Sequence, residues 1–138
     1  KLRTGHFLNC VNRSKEERLK CWSSHHSRDQ PHTFIPPAQE LPFVADFAIG
    51  GGASGAHICV IRGDNHKVNC YGPQRDNRLT VPEALGAATK IAAYADTSCA
   101  IKKADKSLWC WGTHNNTHFA GAFVDVAVGW NKTCALSE

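Results

Sequence analysis

The residues of this chain best suited to specific chemistry are its seven cysteines, which follow one pattern. Three times, a cysteine is followed by ten residues and then by a second cysteine with an aromatic residue directly after it. These units are Cys10–Trp22, Cys59–Tyr71 and Cys99–Trp111, and a fourth copy begins at Cys134. Structural zinc sites usually pair cysteines only about two to four residues apart, and no such pair occurs here. The spacing therefore favours disulfides over zinc thiolates.

Pairing within each unit requires the two cysteines to face each other across a hairpin. If the turn centres on Asp64–Asn65, Cys59 and Cys70 become cross-strand neighbours, and both turn residues tolerate the positive φ that tight hairpins need. The other two turns then centre on Lys15–Glu16 and Ala104–Asp105. Opposed Cβ atoms lie about 4.5–5.5 Å apart, which is close enough to bridge. The predicted disulfides are Cys10–Cys21, Cys59–Cys70 and Cys99–Cys110.

The odd cysteine count leaves Cys134 unpaired in this segment. The simplest interpretation is that its partner follows Glu138 in a longer chain, and the alternative is an intermolecular disulfide or a reactive thiol. Three disulfides would require an oxidising compartment, so we expect an extracellular or cell-surface protein that has passed through the secretory pathway. Three Asn-X-Ser/Thr sequons agree with this, and they predict N-linked glycans at Asn12, Asn115 and Asn131.

Other chemically suggestive residues follow weaker patterns. The glycine-rich stretch 50–55 fits G-x-G-x-x-G, but the dinucleotide motif needs a helix next and AHICVI predicts a strand. Ser54 lacks the flanking residues of a nucleophile elbow. Histidines that could bind a metal stand in predicted loops without accompanying carboxylates or thiolates. These are His25, His26, His32, His114 and His118. We therefore expect no metal, no cofactor and no enzymatic activity.

The whole composition restricts the class of protein further. A length of 138 residues with 42% hydrophobic and 20% charged residues suits one folded domain. The net charge of +4 is spread among mixed signs, with only a short mixed run at residues 13–20, so we expect no nucleic-acid partner. No apolar run approaches the roughly 18 residues that span a bilayer. The start without Met and the end within a repeat predict a piece of something longer.

The connections between the units vary while the cysteine spacing stays constant. The first cysteines stand 49, 40 and 35 residues apart. Residues 24–42 predict a long Pro-rich loop, and residues 43–49 and 123–129 predict strands. Between Thr80 and Ala88 a capping-box spacing competes with an early glycine, which favours a loop with at most one helical turn before a strand at roughly 89–94. Fixed hairpins with variable connections are typical of stacked β-units.

The segments TKIAAYADTSCAIKKADKSLWCWG and FVDVAVGWNKTCAL resemble the repeat of the regulator of chromosome condensation family, and most closely its cysteine-containing secreted branch. The resemblance implies an all-β fold of β-propeller blades, about three complete and the start of a fourth. Residues 1–138 would form a single partial propeller domain with repeat units around 1–23, 43–72, 89–112 and 123–138. Closed propellers of this family have about seven blades, so other blades of the same or a second chain would complete the ring.

The loops after the second cysteines depart from the family's pattern, reading GPQRDNRL and GTHNNTHF, so no functional loop residue is carried over. The recurrence of Trp22, Tyr71 and Trp111 at equivalent positions predicts packing between blades rather than sugar stacking. We expect a non-enzymatic propeller segment that mediates protein–protein or structural contacts in an extracellular assembly or receptor ectodomain, as in crinkly-type plant receptor kinases. The alternatives are a nuclear exchange-factor or chromatin-binding propeller, which paired cysteines argue against, and a carbohydrate-binding propeller lectin.

Overall fold

The structure is a computed structural model that describes residues 1–5, 8–12, 19–23, 43–52, 55–113 and 116–138. Its strands form four antiparallel sheets, which we call blades 1 to 4 in chain order. Blade 1 contains β1 (Leu2–Thr4), β2 (Leu8–Val11) and β3 (Lys20–Ser23). Blade 2 contains β4 (Val44–Gly52), β5 (Gly55–Arg62) and β6 (Val68–Tyr71). Blade 3 contains β7 (Ala88–Tyr94), β8 (Thr97–Lys102), β9 (Leu108–Gly112) and β10 (Thr117–Phe119), and blade 4 contains β11 (Phe123–Gly129) and β12 (Lys132–Ser137).

Within each blade, strands that are consecutive in the chain are neighbours in the sheet. The first strands of successive blades contact one another in the order β1, β4, β7, β11, so the blades stand side by side. Side chains of these four strands line a groove of about 190 Å³, with Arg3, Ile49, Ala92 and Val126 among them. The all-β fold predicted from the sequence is confirmed.

The described part of the apolar core lies between the blades, in three clusters. The period of two along a strand sends alternate side chains to opposite faces of a blade. In β5, Ile58 and Val60 join the cluster between blades 1 and 2, whereas Cys59 and Ile61 join the cluster between blades 2 and 3. In β8, Ile101 packs on the following blade 4. The central strand of each inner blade is therefore buried on both faces, and only neighbouring blades can bury it.

The three cysteine pairs predicted from the spacing are bonded in the structure. In every complete blade the two cysteines stand directly opposite each other on the second and third strands, with a Cα–Cα distance of 4.1 Å. Among the described cysteines, Cys134 is free and exposed. On β12, Cys134 stands opposite Ala127 of β11, just as Cys99 on β8 stands opposite Ala92 of β7.

The hairpin turns differ in one detail from the sequence prediction. The left-handed residue of the blade 2 turn is His66, with φ 59°, and not Asp64 or Asn65. The reason is that both predicted residues act through their side chains: Asp64 Oδ1 accepts from the Asn65 amide at 2.9 Å, and Asn65 Oδ1 accepts from the Lys67 amide at 2.9 Å. Such local bonds form the loop and move the positive φ one residue further.

Two short strands were not predicted. Residues 117–119 were assigned to a polar loop but form β10, which pairs with the outer edge of β9. The other is β1, which pairs with β2 as the first strand of blade 1. Three residues are too few for a periodic pattern, so only pairing reveals such strands. The predicted single helical turn exists as a 3-10 turn at Glu83–Leu85.

Several sequence predictions fall on residues outside the described ranges. They are the Pro-rich loop 24–42, the first hairpin turn at Lys15–Glu16, Ser54, Asn115, His25, His26, His32 and His114.

Replacing both Cys59 and Cys70 by alanine should lower the free energy of unfolding by about 3 kcal/mol, because the open chain of the unfolded state regains the entropy that an 11-residue separation removes. Urea denaturation measures the difference. Cys134→Ser is the matched control, since its exposed side chain touches little and its replacement should change the unfolding free energy by less than about 0.5 kcal/mol. Equal losses in the two proteins would contradict the structural role of the disulfide.

Candidate functional site

The face of blade 4 that points away from blade 3 presents residues that the other blades bury. Leu136 stands two positions after Cys134 and is 63% exposed, whereas Ile61 and Ile101, two positions after the first cysteines of blades 2 and 3, are 0% and 1% exposed. Cys134 itself is exposed, although the first cysteines of the complete blades are fully buried. Blade 4 therefore carries the surface that elsewhere packs on a following blade.

Blade 1 shows the same feature on its opposite face. Trp111, directly after the second cysteine of blade 3, is completely buried against blade 2, and Tyr71 packs on the cluster between blades 1 and 2. These two aromatics pack between blades as predicted. Trp22 occupies the same position in blade 1 but is 47% exposed. Its side of blade 1 thus lacks a preceding blade within the part of the chain that the structure describes.

A hydroxyl contacts the disulfide at two successive joints between blades. Ser98 Oγ lies 3.5 Å from Cys59 Sγ, and Thr133 Oγ1 lies 3.8 Å from Cys99 Sγ. Since a bonded sulfur carries no hydrogen, the hydroxyl must donate in both contacts. Each hydroxyl residue comes directly before the first cysteine of its own blade, so the contact belongs to the repeat.

A buried cation crosses the joint between blades 2 and 3. The side chain of Arg78 is fully buried, and its Nη1 donates to Asp96 Oδ1 at 2.6 Å and to the Gly55 carbonyl at 3.2 Å. Its Nε donates to the Pro73 carbonyl at 2.7 Å, and its own carbonyl accepts from Trp111 Nε1 at 3.1 Å. Arg78 therefore ties the loop after β6 to the turn between β7 and β8.

Sequence reasoning did not find Arg78. It lies in the loop GPQRDNRL, where an arginine predicts an exposed side chain, and its neighbour Arg75 is indeed exposed. Nothing in the loop's sequence distinguishes the two arginines, because the carboxylate that pairs with Arg78 belongs to the next blade.

A histidine accompanies this ion pair in the same joint. His57 is completely buried, and its Nε2 lies 2.9 Å from Ser98 Oγ. Its Nδ1 has no hydrogen-bond partner among the described residues. Burial first, and then the nearby Arg78 cation, lower the pKa of His57 from 6.5 to about 4, although Asp96 acts in the opposite direction. The imidazole is thus neutral at physiological pH and packs as a core residue.

His57 was also missed, because histidines were considered only in loops. One signal was available: His57 stands two residues before Cys59, so the strand period places it on the same blade face as that buried cysteine. The neighbouring Gly50 is required by the ring, since a Cβ at that position would lie 2.2 Å from the His57 Cε1 atom.

A surface cleft of about 360 Å³ lies between blades 3 and 4. Its walls are the β7–β8 turn, the β11–β12 turn and described residues at the end of β9 and in β10. Three exposed aromatic residues, one from each wall, line it: Tyr94, Phe119 and Trp130. We call this feature the turn cleft. Its polar lining includes Thr113 and Asn131.

The sequon asparagines have different surroundings. Asn12 Nδ2 donates to the Val44 carbonyl at 2.8 Å, so the atom that would carry a glycan is engaged with blade 2. Asn131 lies exposed at the tip of the β11–β12 turn. Among the histidines considered as metal ligands, His118 is described and its ring stacks on Trp109 with centroids 4.4 Å apart. The described ranges contain no group of three His, Cys, Asp or Glu side chains that could hold a metal ion.

Comparison with known proteins gives structural matches only. No family model and no curated protein matches the chain. The crystal structure of the CRINKLY WD40 ectodomain from the Arabidopsis thaliana receptor kinase ACR4 matches with 26% sequence identity and a TM-score of 0.70. That of the entire ectodomain from the Physcomitrella patens receptor kinase CR4 matches with 19% identity and a TM-score of 0.72, which shows the fold alone.

Both matches cover 99% of this chain but only 44% and 35% of the solved chains. The chain thus has the fold of part of a WD40 propeller ectodomain, and it is similar to the ectodomain of a receptor kinase. Among the described residues, no helix is long and apolar enough to cross a membrane.

Asp96→Asn should lower the free energy of unfolding by about 3 kcal/mol, because it leaves the Arg78 cation buried without a carboxylate. Asp64→Asn is the matched control, since it breaks an ion pair with Arg62 that lies at the surface and should cost far less. Chemical denaturation compares the variants. Similar losses would show that burial of Arg78 is not what makes its ion pair important.

Stability should fall as the pH drops from about 6.5 to about 4, because His57 in the unfolded chain takes up a proton in this range and the buried ring does not. The pKa of the folded state is lowered, so the stability present above pH 6.5 is lost on acidification, with a total on the order of 3 kcal/mol. His57→Gln should remove this component, and the exposed His118→Gln should retain it. Unfolding free energies measured across this pH range test the assignment, and an unchanged pH profile in His57→Gln would refute it.

Proposed function

We propose that this chain is a non-enzymatic section of a secreted or cell-surface propeller that acts through protein–protein or structural contacts, as part of a receptor ectodomain or another extracellular assembly. The observation that carries the proposal is the match to the CRINKLY WD40 ectodomain over 99% of the chain, together with one disulfide in each complete blade. A disulfide in each of blades 1 to 3 suits an oxidising compartment and not the nucleus, which favours this function over a chromatin-binding propeller.

We also propose that residues 1–138 form a single partial propeller domain whose two end blades pack on further blades of the same or a second chain. The exposed Leu136 on blade 4 and the exposed Trp22 on blade 1 support this. At the equivalent positions of the inner blades, Ile61, Ile101 and Trp111 are buried and Tyr71 is partly buried. A stack of repeats is stable only when each inner face is covered by a neighbour or by a polar cap. Neither end face has such a cap among the described residues.

Secretion and the redox state of the cysteines test the proposed compartment. The full protein, expressed in eukaryotic cells, should appear outside the cell or at its surface. Its intact mass should rise on reduction by two hydrogens per disulfide, and peptide mapping without reductant should find the pairs Cys10–Cys21, Cys59–Cys70 and Cys99–Cys110. Free thiols at these six positions, or location in the nucleus, would overturn the proposal.

The end face of blade 4 gives a further expectation. In a Cys134→Ser background, which excludes disulfide dimers, residues 1–138 alone should associate or aggregate through the uncovered face. Leu136→Ser should weaken self-association about tenfold or more, since burial of a leucine contributes about 1.5–3 kcal/mol. Tyr94→Ser is the control, because Tyr94 is exposed at a turn and not on the end face.

Sedimentation velocity at several concentrations, with thermal unfolding beside it, measures these differences. A monodisperse monomer that unfolds in one cooperative transition would show that the end faces need no partner, and the partial-propeller proposal would then be wrong.

A further inference from the structure

The turn cleft contains an entire glycosylation sequon in its wall. Asn131, Lys132 and Thr133 all line the cleft, at the point where the chain turns from β11 into β12. The packing of blade 4 on blade 3 accounts for Val126, Val128 and Ala135, but it leaves the aromatic side chains around the cleft exposed. The cleft is therefore a surface that the fold itself does not use.

The side chain of Asn131 is free to carry a glycan. The residue is exposed at the tip of the hairpin with φ 52°, a left-handed conformation that asparagine tolerates better than most residues. Within the described ranges its carboxamide makes no hydrogen bond, in contrast to that of Asn12, whose Nδ2 is held by the Val44 carbonyl. Of the two asparagines Asn12 and Asn131, only Asn131 therefore has a side-chain nitrogen available for the linkage.

The surroundings of Asn131 suit a sugar ring. Tyr94 is 43% exposed, Phe119 49% and Trp130 77%, and the three come from separate segments of the chain. The C–H face of a pyranose packs well on an aromatic ring, and its hydroxyl and acetamide groups need polar partners beside that ring. Thr113 and Lys132 supply such groups in the lining. A volume of about 360 Å³ lies within the size of a small-ligand site and leaves room for the first sugar residues.

We propose that Asn131 carries an N-linked glycan whose first N-acetylglucosamine residues pack in the turn cleft against Trp130, Tyr94 and Phe119. The inference rests on the proposed passage through the secretory pathway. There, Asn131 Nδ2 attacks C1 of the first sugar of a lipid-pyrophosphate-linked oligosaccharide. The C1–N bond forms, the C1–O bond to the pyrophosphate breaks, the lipid pyrophosphate leaves, and one amide proton is released. The attached sugar then covers aromatic surface that would otherwise invite non-specific contacts.

The accessibility of the glycan to an amidase tests this packing. The full protein is secreted from eukaryotic cells and treated with peptide-N-glycosidase, native or after denaturation. Cleavage converts the linked asparagine into aspartate, so mass spectrometry of the peptide follows Asn131 by itself. We expect removal at Asn131 to be about tenfold slower in the native protein. This is the rate expected if the amidase cleaves only the unpacked glycan and the glycan is unpacked in about one molecule in ten.

Aromatic variants separate this packing from simple crowding by the folded chain. Trp130→Ser and Phe119→Ser both keep the sequon and replace exposed side chains, so the fold should persist. Each should bring the native cleavage rate towards the denatured rate. Phe43→Ser is the matched control, because it removes a 40% exposed aromatic side chain next to β4, away from the turn cleft and from both end faces, and should leave the rate at Asn131 unchanged.

Each outcome has one meaning. Slow native cleavage that both aromatic variants accelerate supports the packed glycan. Equal native and denatured rates, or variants without effect, overturn it, since the glycan then extends into solvent. A secreted, disulfide-bonded protein without sugar at Asn131 overturns this inference but leaves the proposed function intact. A protein with reduced cysteines that remains inside the cell contradicts the proposed function, and the glycan inference fails with it.

Discussion

The double burial of the central strand is the constraint on which the rest of the structure depends. Ile58 and Ile61 on β5 are both completely buried, yet their side chains leave the strand on opposite faces and pack in different clusters. A strand of this kind cannot bury its apolar side chains within one blade, because a lone three-stranded sheet has water on both faces. The apolar side chains of the repeat are therefore satisfied between blades, and each blade depends on its neighbours for stability.

The disulfides also contribute to the packing between blades. In each complete blade the first cysteine lies on the face towards the next blade and is fully buried there. The bond therefore both closes the hairpin and fills part of the joint between blades. The hydroxyls of Ser98 and Thr133 lie against the sulfur atoms of the preceding blade, so a polar contact recurs within an otherwise apolar joint.

The buried Arg78 cation and the buried imidazole add specificity that apolar packing between similar repeats lacks. If a different blade followed blade 2, the Arg78 guanidinium would lose the Asp96 carboxylate and would remain buried without a counter-ion. Such an arrangement costs several kcal/mol, which exceeds what a leucine–isoleucine exchange in the joint would change. The Arg78–Asp96 ion pair thus favours blade 3 over other blades as the neighbour of blade 2. The end faces of blades 1 and 4 instead present apolar residues. The turn cleft lies apart from both end faces, so a glycan there would not obstruct contacts with further blades.

The amino-acid sequence by itself determined the features that depend on residues close together in the chain. The constant spacing of Cys59 and Cys70 identified their pairing, and short apolar segments of strand length predicted β4 and β11. Tertiary structure alone decided the joints: His57 and Ser98 are 41 residues apart, and Arg78 and Asp96 are 18 residues apart. The local sequence around a residue in a loop or strand does not indicate which blade will cover its side chain. Burial, the lowered pKa of His57 and the aromatic walls around Asn131 all result from packing between blades, which local sequence patterns do not encode.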